Sequence, residues 1–165
     1  MQKIAQFKKV SKQQFQKDLE KYGWKEENDS YVEIQLPKRA TAGSAGYDFF
    51  LPMDVSLAFN ESIRIPSGIR CKMEEGWVLT LYPRSSLGTR YQLQLDNTVG
   101  VIDADYFYAD NEGHILIQIT NRSLKQECVQ LKKGTAFVQG IFLPFGITID
   151  DDTVERRRGG FGSTG

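Results

Sequence analysis

The chain has 165 residues, of which 40% are hydrophobic and 25% charged, a composition typical of a single globular domain with a hydrophobic core. Its 21 basic and 21 acidic side chains cancel, which argues against a general affinity for nucleic acid. The sequence contains neither an apolar run of membrane-spanning length nor a recognisable signal peptide. Cys71 and Cys128 lie in apolar alternating segments, so we expect a cytoplasmic protein with two buried free thiols.

The first predicted element is a helix in the segment VSKQQFQKDLEKYG. Ser11 stands at the N-cap position, and Gly23 stands where a helix of this length would end. Phe15 and Leu19, four residues apart, place an apolar stripe on one side. The opposite, lysine-rich side carries no signal beyond solvent exposure.

After this helix the hydrophobic period changes to two residues, the period of β-strands. Glycine, proline, asparagine and aspartate separate the short alternating runs, and no second helix is predicted. The pattern favours an all-β domain of the sandwich, barrel or jelly-roll type over residues 31–149, preceded by a helical extension over residues 1–30. The predicted strands are 31–36, 54–58, 62–65, 69–72, 77–82, 92–95, 114–120, 128–131 and 136–145.

Residues 150–165 form a predicted flexible arm that ends in RRRGGFGSTG. This glycine-rich segment cannot build a core, and two interpretations stay open. It is either a frayed terminus or a lid that becomes ordered on a ligand with a flat ring and anionic groups.

Two further stretches carry polar groups of the kind that bind phosphates. In AGSAGYDFF (42–50), Asp48 interrupts an apolar strand, as either a structural hydrogen-bond partner or a functional carboxylate. In YPRSSLG (82–88), Arg84 and the two serines after it form either a phosphate cradle or an ordinary polar turn.

The stretch DNTVGVIDADYFYAD (96–110) places Asp103 and Asp105 in a β-like run. A carboxylate at the base of a pocket can deprotonate a water, whereas one at a strand end simply faces solvent. Gln139 is the polar exception in a long apolar strand, as either a core hydrogen-bond partner or a ligand contact. No Cys/His set has metal-ligand spacing, so we expect any metal to arrive with its ligand, as Mg²⁺ does with nucleotide phosphates.

Together and in this order, five segments resemble the five motifs of the trimeric dUTPase family. They are AGYD, PRSSLG, GVIDADY, GTAFVQGIFLP and GGFGSTG, and the resemblance runs from about Leu36 to Gly165. It implies a β-clip, jelly-roll-like subunit and a homotrimer with shared active sites. It also implies Mg²⁺-dependent hydrolysis of dUTP to dUMP and pyrophosphate, which keeps uracil out of DNA and supplies dUMP for thymidylate synthesis.

The resemblance also implies roles for individual residues. Asp103 resembles the base that activates the attacking water. Tyr106 resembles the ring that packs against deoxyribose and leaves no room for a 2′-hydroxyl. Asn97 and the backbone of the following hairpin, including Val101, resemble the uracil reader, while Asp48 resembles the aspartate that supports the metal through water. The remaining predicted substrate contacts are Arg84, Ser85, Ser86 and Gln139 at the phosphates and Arg156, Phe161, Gly162 and Ser163 in the arm.

Some features depart from the family pattern. Tyr108 stands where the family usually has glycine, ADNEG lengthens the next connection, and Arg157 and Arg158 leave open which arginine meets the phosphates. The alternatives are a dCTP deaminase, which shares the fold, and a dUTPase that also regulates a protein partner through the N-terminal helix or the insert. One RGG triplet with one aromatic ring is too little for an RNA-binding tail.

Overall fold

Antiparallel strands are the main regular elements of the protein in this computed structural model, which describes residues 2–25 and 30–155. The predicted all-β class is confirmed. In chain order the described elements are β1 (Ala5–Lys9), α1 (Lys12–Lys21), β2 (Lys38–Arg39), β3 (Tyr47–Phe50), β4 (Val55–Leu57), β5 (Ser62–Pro66), β6 (Ile69–Met73), β7 (Trp77–Pro83), α2 (Ser85–Tyr91), β8 (Leu93–Leu95), β9 (Gly100–Ile102), a 3₁₀ helix (Ala104–Tyr108), β10 (Leu116–Asn121), β11 (Val129–Leu131) and β12 (Ala136–Pro144).

The strands form four antiparallel sheets around one hydrophobic core. The largest has five strands in the order β2-β3-β12-β7-β9, and a second has three in the order β5-β10-β8. Two-stranded sheets, β1-β6 and β11-β4, complete the set. Because neighbours in these sheets are often distant in sequence, segments from all parts of the described chain meet at the core. No helix in the two described ranges is long and apolar enough to cross a membrane.

The predicted first helix is confirmed as α1. The Ser11 hydroxyl accepts a hydrogen bond from the backbone N–H of Gln14 at 3.0 Å, and Gly23 has the left-handed φ of +74° that favours glycine after a helix end. Phe15 and Leu19 are completely buried and belong to the same core as the strands. The N-terminal segment is therefore packed into the domain, and its strand β1 pairs with β6 along five residues.

The strand predicted over residues 31–36 is wrong, because the structure has a turn and an irregular segment there. The alternation arises from packing without a partner strand. Tyr31 donates its hydroxyl hydrogen to the Val10 carbonyl at 2.7 Å, and Ile34 is buried in the core. The Lys9 ammonium donates to the carbonyls of residues 31 and 32, which satisfies backbone groups that a strand would have paired.

Of the two cysteines, Cys71 is buried as predicted, whereas Cys128 is exposed and the prediction for it is wrong. Strand parity explains the difference. Val129 and Leu131 face the core from β11, so Cys128 shares the outward parity of Gln130. The Cys128 thiol lies 3.4 Å from the Ser56 hydroxyl on the neighbouring strand β4.

Candidate active site

One polar cluster lies where β3, β12 and β7 run side by side in the five-stranded sheet. Asp48 in β3 stands opposite Gln139 in β12, and Arg84 directly follows β7. The Arg84 Nε lies 3.3 Å from Asp48 Oδ1, and the two side chains stay 39% and 15% exposed. Gly46 leaves room for the amide, because a Cβ there would lie 2.6 Å from Gln139 Oε1. The structure thus brings together predicted site residues from three motifs.

Ser85 and Ser86 begin α2, a second helix in a segment for which the sequence predicts a turn or loop. The Arg84 carbonyl accepts hydrogen bonds from the N–H groups of Leu87 and Gly88 at 2.9 and 3.0 Å, and the buried Leu87 side chain anchors the helix. Both serines are exposed. The first N–H groups of a helix have no acceptor within the helix, so α2 keeps the property that makes the segment a candidate phosphate ligand.

A second polar group lies just after β9. The β-like run predicted through Asp103 and Asp105 is wrong, because β9 ends at Ile102 and a 3₁₀ helix follows with Asp103 as its N-cap. The Asp103 carbonyl accepts the N–H of Tyr106 at 3.2 Å, which puts these two residues one turn apart on the same side. Asp103 is half-buried and Asp105 is exposed.

Tyr106 is held in place through its hydroxyl. Its ring is buried, and the hydroxyl donates to the carbonyl oxygen of His114 at 2.8 Å. The Asn111 amide donates to the same hydroxyl at 2.8 Å and to the His114 carbonyl at 3.3 Å. The residues inserted after Tyr106 therefore fold back and fix the tyrosine.

A cavity of about 550 Å³, the size of a small-molecule site, opens beside β8 and β9. The turn between the two strands carries Asn97, which lines the cavity, and Thr98, whose φ is +60°. Among the described strands, β8 pairs with β10 alone and β9 with β7 alone, so each strand is the edge of a different sheet. The two strands diverge from the turn, and each keeps one edge that no described strand pairs.

The other wall of this cavity comes from α1, a helix for which the sequence predicts no part in a ligand site. Asp18, Lys21 and Tyr22 line it, as do Arg64 and Gln118. The Arg64 guanidinium donates to Gln118 Oε1 at 2.6 and 3.0 Å and lies 5.3 Å from the centre of the Tyr22 ring. These contacts join residues far apart in sequence, so no local sequence pattern predicts them.

A buried hydrogen bond between Asp18 and His114 connects α1 to the rest of the site. His114 Nδ1 lies 2.6 Å from Asp18 Oδ2, which also accepts a hydrogen bond from the Gln14 amide at 2.8 Å. Burial acts to raise the pKa of Asp18, but the hydrogen bonds from His114 and Gln14 outweigh burial, so this pKa lies below its ordinary value. Asp18 is therefore a buried carboxylate that stays charged.

The two polar groups lie far apart within one chain. Leu79 pairs with Ile102, so Asp103 lies beside the start of β7, whereas Arg84 lies beyond the end of β7. About five strand residues separate them, which corresponds to roughly 15–20 Å. Val101, in β9, points its side chain outward with half of its surface exposed.

The predicted arm contacts Arg156, Phe161, Gly162 and Ser163, and the neighbouring Arg157 and Arg158, lie outside the described residues. Within residues 2–25 and 30–155, no group of three or more histidine, cysteine, aspartate or glutamate side chains is arranged to hold a metal ion.

Comparison with known proteins decides the family. The family model described as dUTPase matches residues 32–165, which is most of the chain. The chain belongs to the dUTPase family. The resemblance of the five motifs is thereby confirmed, and the match to the family model begins at residue 32, after β1 and α1.

Individual relatives agree with this assignment to the dUTPase family. The deoxyuridine 5'-triphosphate nucleotidohydrolase of Lactococcus lactis is 46% identical over 135 residues, covering 80% of this chain and 89% of that protein. The crystal structure of the Streptococcus mutans dUTPase is 34% identical with a TM-score of 0.67 and covers 86% of this chain and 97% of that one. The Staphylococcus bacteriophage 80alpha dUTPase, at 22% identity and a TM-score of 0.62, covers 99% of each chain and shows the shared fold.

Proposed function

We propose that this member of the dUTPase family hydrolyses dUTP to dUMP and pyrophosphate in active sites shared between the subunits of a homotrimer. The observation that carries the proposal is the opening between β8 and β9, where a ring-sized ligand would meet two strand edges and the Asn97 side chain. The cellular consequence would be the removal of dUTP before uracil enters DNA, with dUMP as the product. The predicted cytoplasmic location belongs to the same proposal.

Uracil recognition is assigned to this opening. The unpaired edge of a β-strand presents alternating N–H and C=O groups, and the edge of uracil presents fixed acceptors and donors that cytosine reverses. Asn97 at the turn and the backbone around Val101 would then read the base. A hydrogen-bonding site of this kind rejects an analogue that leaves its buried polar groups unpaired by roughly 10⁴-fold or more.

The chemical step is assigned to Asp103. As general base, its carboxylate would take a proton from a water molecule while the water oxygen attacks the α-phosphorus. The bond between the α-phosphorus and the oxygen that bridges to the β-phosphate breaks, and pyrophosphate leaves. Tyr106 lies one turn away on the same side, which supports its predicted position at the deoxyribose next to the reacting phosphate.

The phosphates are assigned to the cluster at the end of β7. Arg84 supplies a guanidinium, Ser85 and Ser86 supply hydroxyls and backbone N–H groups, and Gln139 supplies an amide. Phosphoryl transfer depends mainly on positioning and on stabilising charge, and such groups provide both. Mg²⁺ commonly binds through substrate phosphates while keeping several waters, so Asp48 would contact the ion through water.

The distance between these two groups supports a site built from different subunits. A base must lie within hydrogen-bonding distance of its water, yet roughly 15–20 Å of β7 separates Asp103 from Arg84 in one chain. A second copy can bring its own Arg84 cluster to the Asp103 of the first. The apolar side chains of Phe145, Ile147 and Ile149 are 52%, 74% and 108% exposed, as expected for a segment that packs on a neighbour.

The decisive experiment measures pyrophosphate and ammonia release from each dNTP and from UTP in the presence of Mg²⁺. We expect pyrophosphate from dUTP, little product from dTTP, dCTP or UTP, and no ammonia from any substrate. Ammonia from dCTP would instead identify a dCTP deaminase. Absence of pyrophosphate release from dUTP would overturn the proposal. A regulatory protein partner stays a prediction, which a pull-down with and without dUTP addresses.

A further inference from the structure

The N-terminal helix α1 contains one buried residue, Asp18, whose charge packing alone does not explain. Asp18 lies on the buried side of α1 between Phe15 and Leu19, where an apolar residue would avoid the cost of burying a charge. Its carboxylate is 5% exposed, and its partner His114 is completely buried. Burying a carboxylate costs free energy even when it is hydrogen-bonded, so the geometry that the Asp18–His114 pair fixes is its more informative property.

The hydrogen bonds of His114 fix both the orientation and the tautomer of the ring. The backbone N–H of Gly68 donates to His114 Nε2 at 2.8 Å, so Nε2 is an acceptor and carries no proton. The ring hydrogen therefore lies on Nδ1 and is donated to Asp18 Oδ2 at 2.6 Å. With a partner on each ring nitrogen, the imidazole can neither rotate nor flip without leaving a buried polar group unpaired.

The same residue holds Tyr106 through its backbone. The His114 carbonyl accepts the Tyr106 hydroxyl at 2.8 Å and the Asn111 amide at 3.3 Å. A displacement of His114 would therefore move the acceptor that positions the tyrosine. The chain of contacts runs from Asp18 through His114 to Tyr106.

A second contact ties α1 to the same segment from the outside. Glu112 accepts hydrogen bonds from the backbone N–H of Ser11 at 2.8 Å and from the Ser11 hydroxyl at 2.6 Å. Ser11 is the N-cap of α1, and Glu112 lies two residues before His114. Segment 111–114 is thus fixed by α1 at both Ser11 and Asp18, while Asp18 and Lys21 also line the cavity.

We propose that α1 contributes to the nucleotide site. Asp18 is a positioning residue that acts through His114 to place Tyr106 against the deoxyribose. This inference rests on the proposed function, because it assumes that Tyr106 meets the sugar. It assigns a role in substrate discrimination to a helix that lies outside the residues matched by the family model.

The test compares kcat/KM for dUTP and for UTP in the full-length protein. Asp18→Ala removes the acceptor of the His114 ring, and we expect the preference for dUTP over UTP to fall roughly ten- to a hundredfold, because small misplacements of a substrate-contacting group have effects of this size. Asp18→Asn keeps an oxygen acceptor in place and should retain most of the preference. Lys17→Ala, on the exposed side of the same helix, should match the wild type.

Leu19→Ala separates positioning from general destabilisation. It removes a buried side chain from the same side of α1 without touching the Asp18–His114 pair. We expect it to lower the melting temperature and leave the dUTP/UTP preference of the folded protein unchanged. A fall in preference equal to that of Asp18→Ala would reduce the role of Asp18 to stability and overturn the inference.

A second variant covers the case in which Asp18→Ala does not fold. Ser11→Asp keeps a good N-cap but places a carboxylate against Glu112, so it disturbs segment 111–114 from an exposed position. A reduced preference supports the inference, and a wild-type preference in this variant overturns it. If the wild type does not release pyrophosphate from dUTP, the proposed function fails first; if it does and Asp18→Ala keeps the wild-type preference, only the inference fails.

Discussion

At the scale of single residues, Asp103 and Asp105 lie only two positions apart and yet have different surroundings. Asp103 is half-buried at the start of the 3₁₀ helix on the same side as Tyr106, whereas Asp105 is exposed. A general base has to lie against the substrate, and exposure to bulk water gives no such position. Asp103 is therefore the candidate base.

Asp103→Asn should reduce kcat for dUTP by roughly 10²–10⁴-fold, because the amide keeps the shape of the carboxylate and loses its basicity. Binding of a non-hydrolysable dUTP analogue, measured by calorimetry, should change little. Asp105→Asn is the matched control and should keep near-normal turnover. A fast Asp103→Asn variant combined with a slow Asp105→Asn variant would move the base to Asp105.

The two cysteines differ in reactivity for a physical reason. Burial raises the pKa of the Cys71 thiol to about 12, so almost none of it is the nucleophilic thiolate at pH 8. Cys128 is exposed. Brief treatment of the native protein with iodoacetamide at pH 8 should modify Cys128 and leave Cys71 intact, as measured by peptide mass spectrometry. Rapid modification of Cys71 before unfolding would show that β6 is less well packed than the structure indicates.

At the scale of secondary-structure elements, α1 carries a charged residue, Asp18, on its buried side. The hydrogen bonds to Asp18 outweigh its burial and keep its pKa below the ordinary value of 3.8. In the unfolded chain Asp18 takes up a proton at its ordinary pKa, so below about pH 4 the unfolded state binds more protons than the folded state. The stabilisation that Asp18 provides is present above that pH and is lost as the pH falls through the folded-state pKa.

The free energy of unfolding of the wild type should therefore fall between pH 5 and pH 3 more steeply than that of Asp18→Asn, which has no carboxyl to protonate at this position. Urea denaturation at several pH values measures both. Parallel pH curves for wild type and Asp18→Asn would contradict a lowered pKa.

Local signals explain which elements the sequence could predict. Both α1 and β7 are found where short sequence patterns predict them. The patterns are the N-cap Ser11 and the apolar pair Phe15 and Leu19 for α1, and the long alternation for β7. By contrast, α2 contains Gly88 and Thr89, which are weak helix formers, so its existence depends on the burial of Leu87 against the core.

The features of the candidate site also divide into those that the sequence predicts and those that it does not. The motif residues Asp48, Arg84 and Gln139 could be selected from the sequence, because burying a polar group in an apolar run costs free energy unless the group has a partner. Their mutual contacts follow from strand order, which no short pattern contains. The contribution of α1 to the cavity could not be predicted, since Asp18 by itself reads as one more polar residue on a lysine-rich helix.

At the scale of the whole molecule, the proposed parts of the active site lie far apart within one chain. The proposed base and the proposed phosphate cluster lie at opposite ends of β7, and apolar side chains after β12 are exposed in the described chain. We expect light scattering to give the mass of a trimer. Mixing Asp103→Asn subunits with subunits truncated after Glu155 should restore activity, because some sites then receive all intact parts. Failure of complementation with a monomeric mass would contradict shared sites.

The terminal segment provides a separate test. Deleting residues 156–165 should reduce turnover roughly 10³-fold or more, because an arginine at the phosphates and Phe161 at the base would both be lost. The melting temperature should change little, since a glycine-rich segment with one apolar side chain has little surface to bury. A truncated protein with the full rate of dUTP hydrolysis would show that the segment is a frayed terminus.

The contact between Asp18 and His114 spans 96 residues of sequence, and it bears on how the protein is made. A ribosome adds about 5–20 residues per second, so α1 emerges roughly 5–20 s before the histidine that it binds. For much of that interval Phe15, Leu19 and the strand β1 that precedes them lack part of their native surroundings, since β1 pairs with β6 at residues 69–73. We expect this nascent segment to be open to chaperone binding, and rare codons placed between residues 20 and 114 should lengthen its exposure and lower the soluble yield.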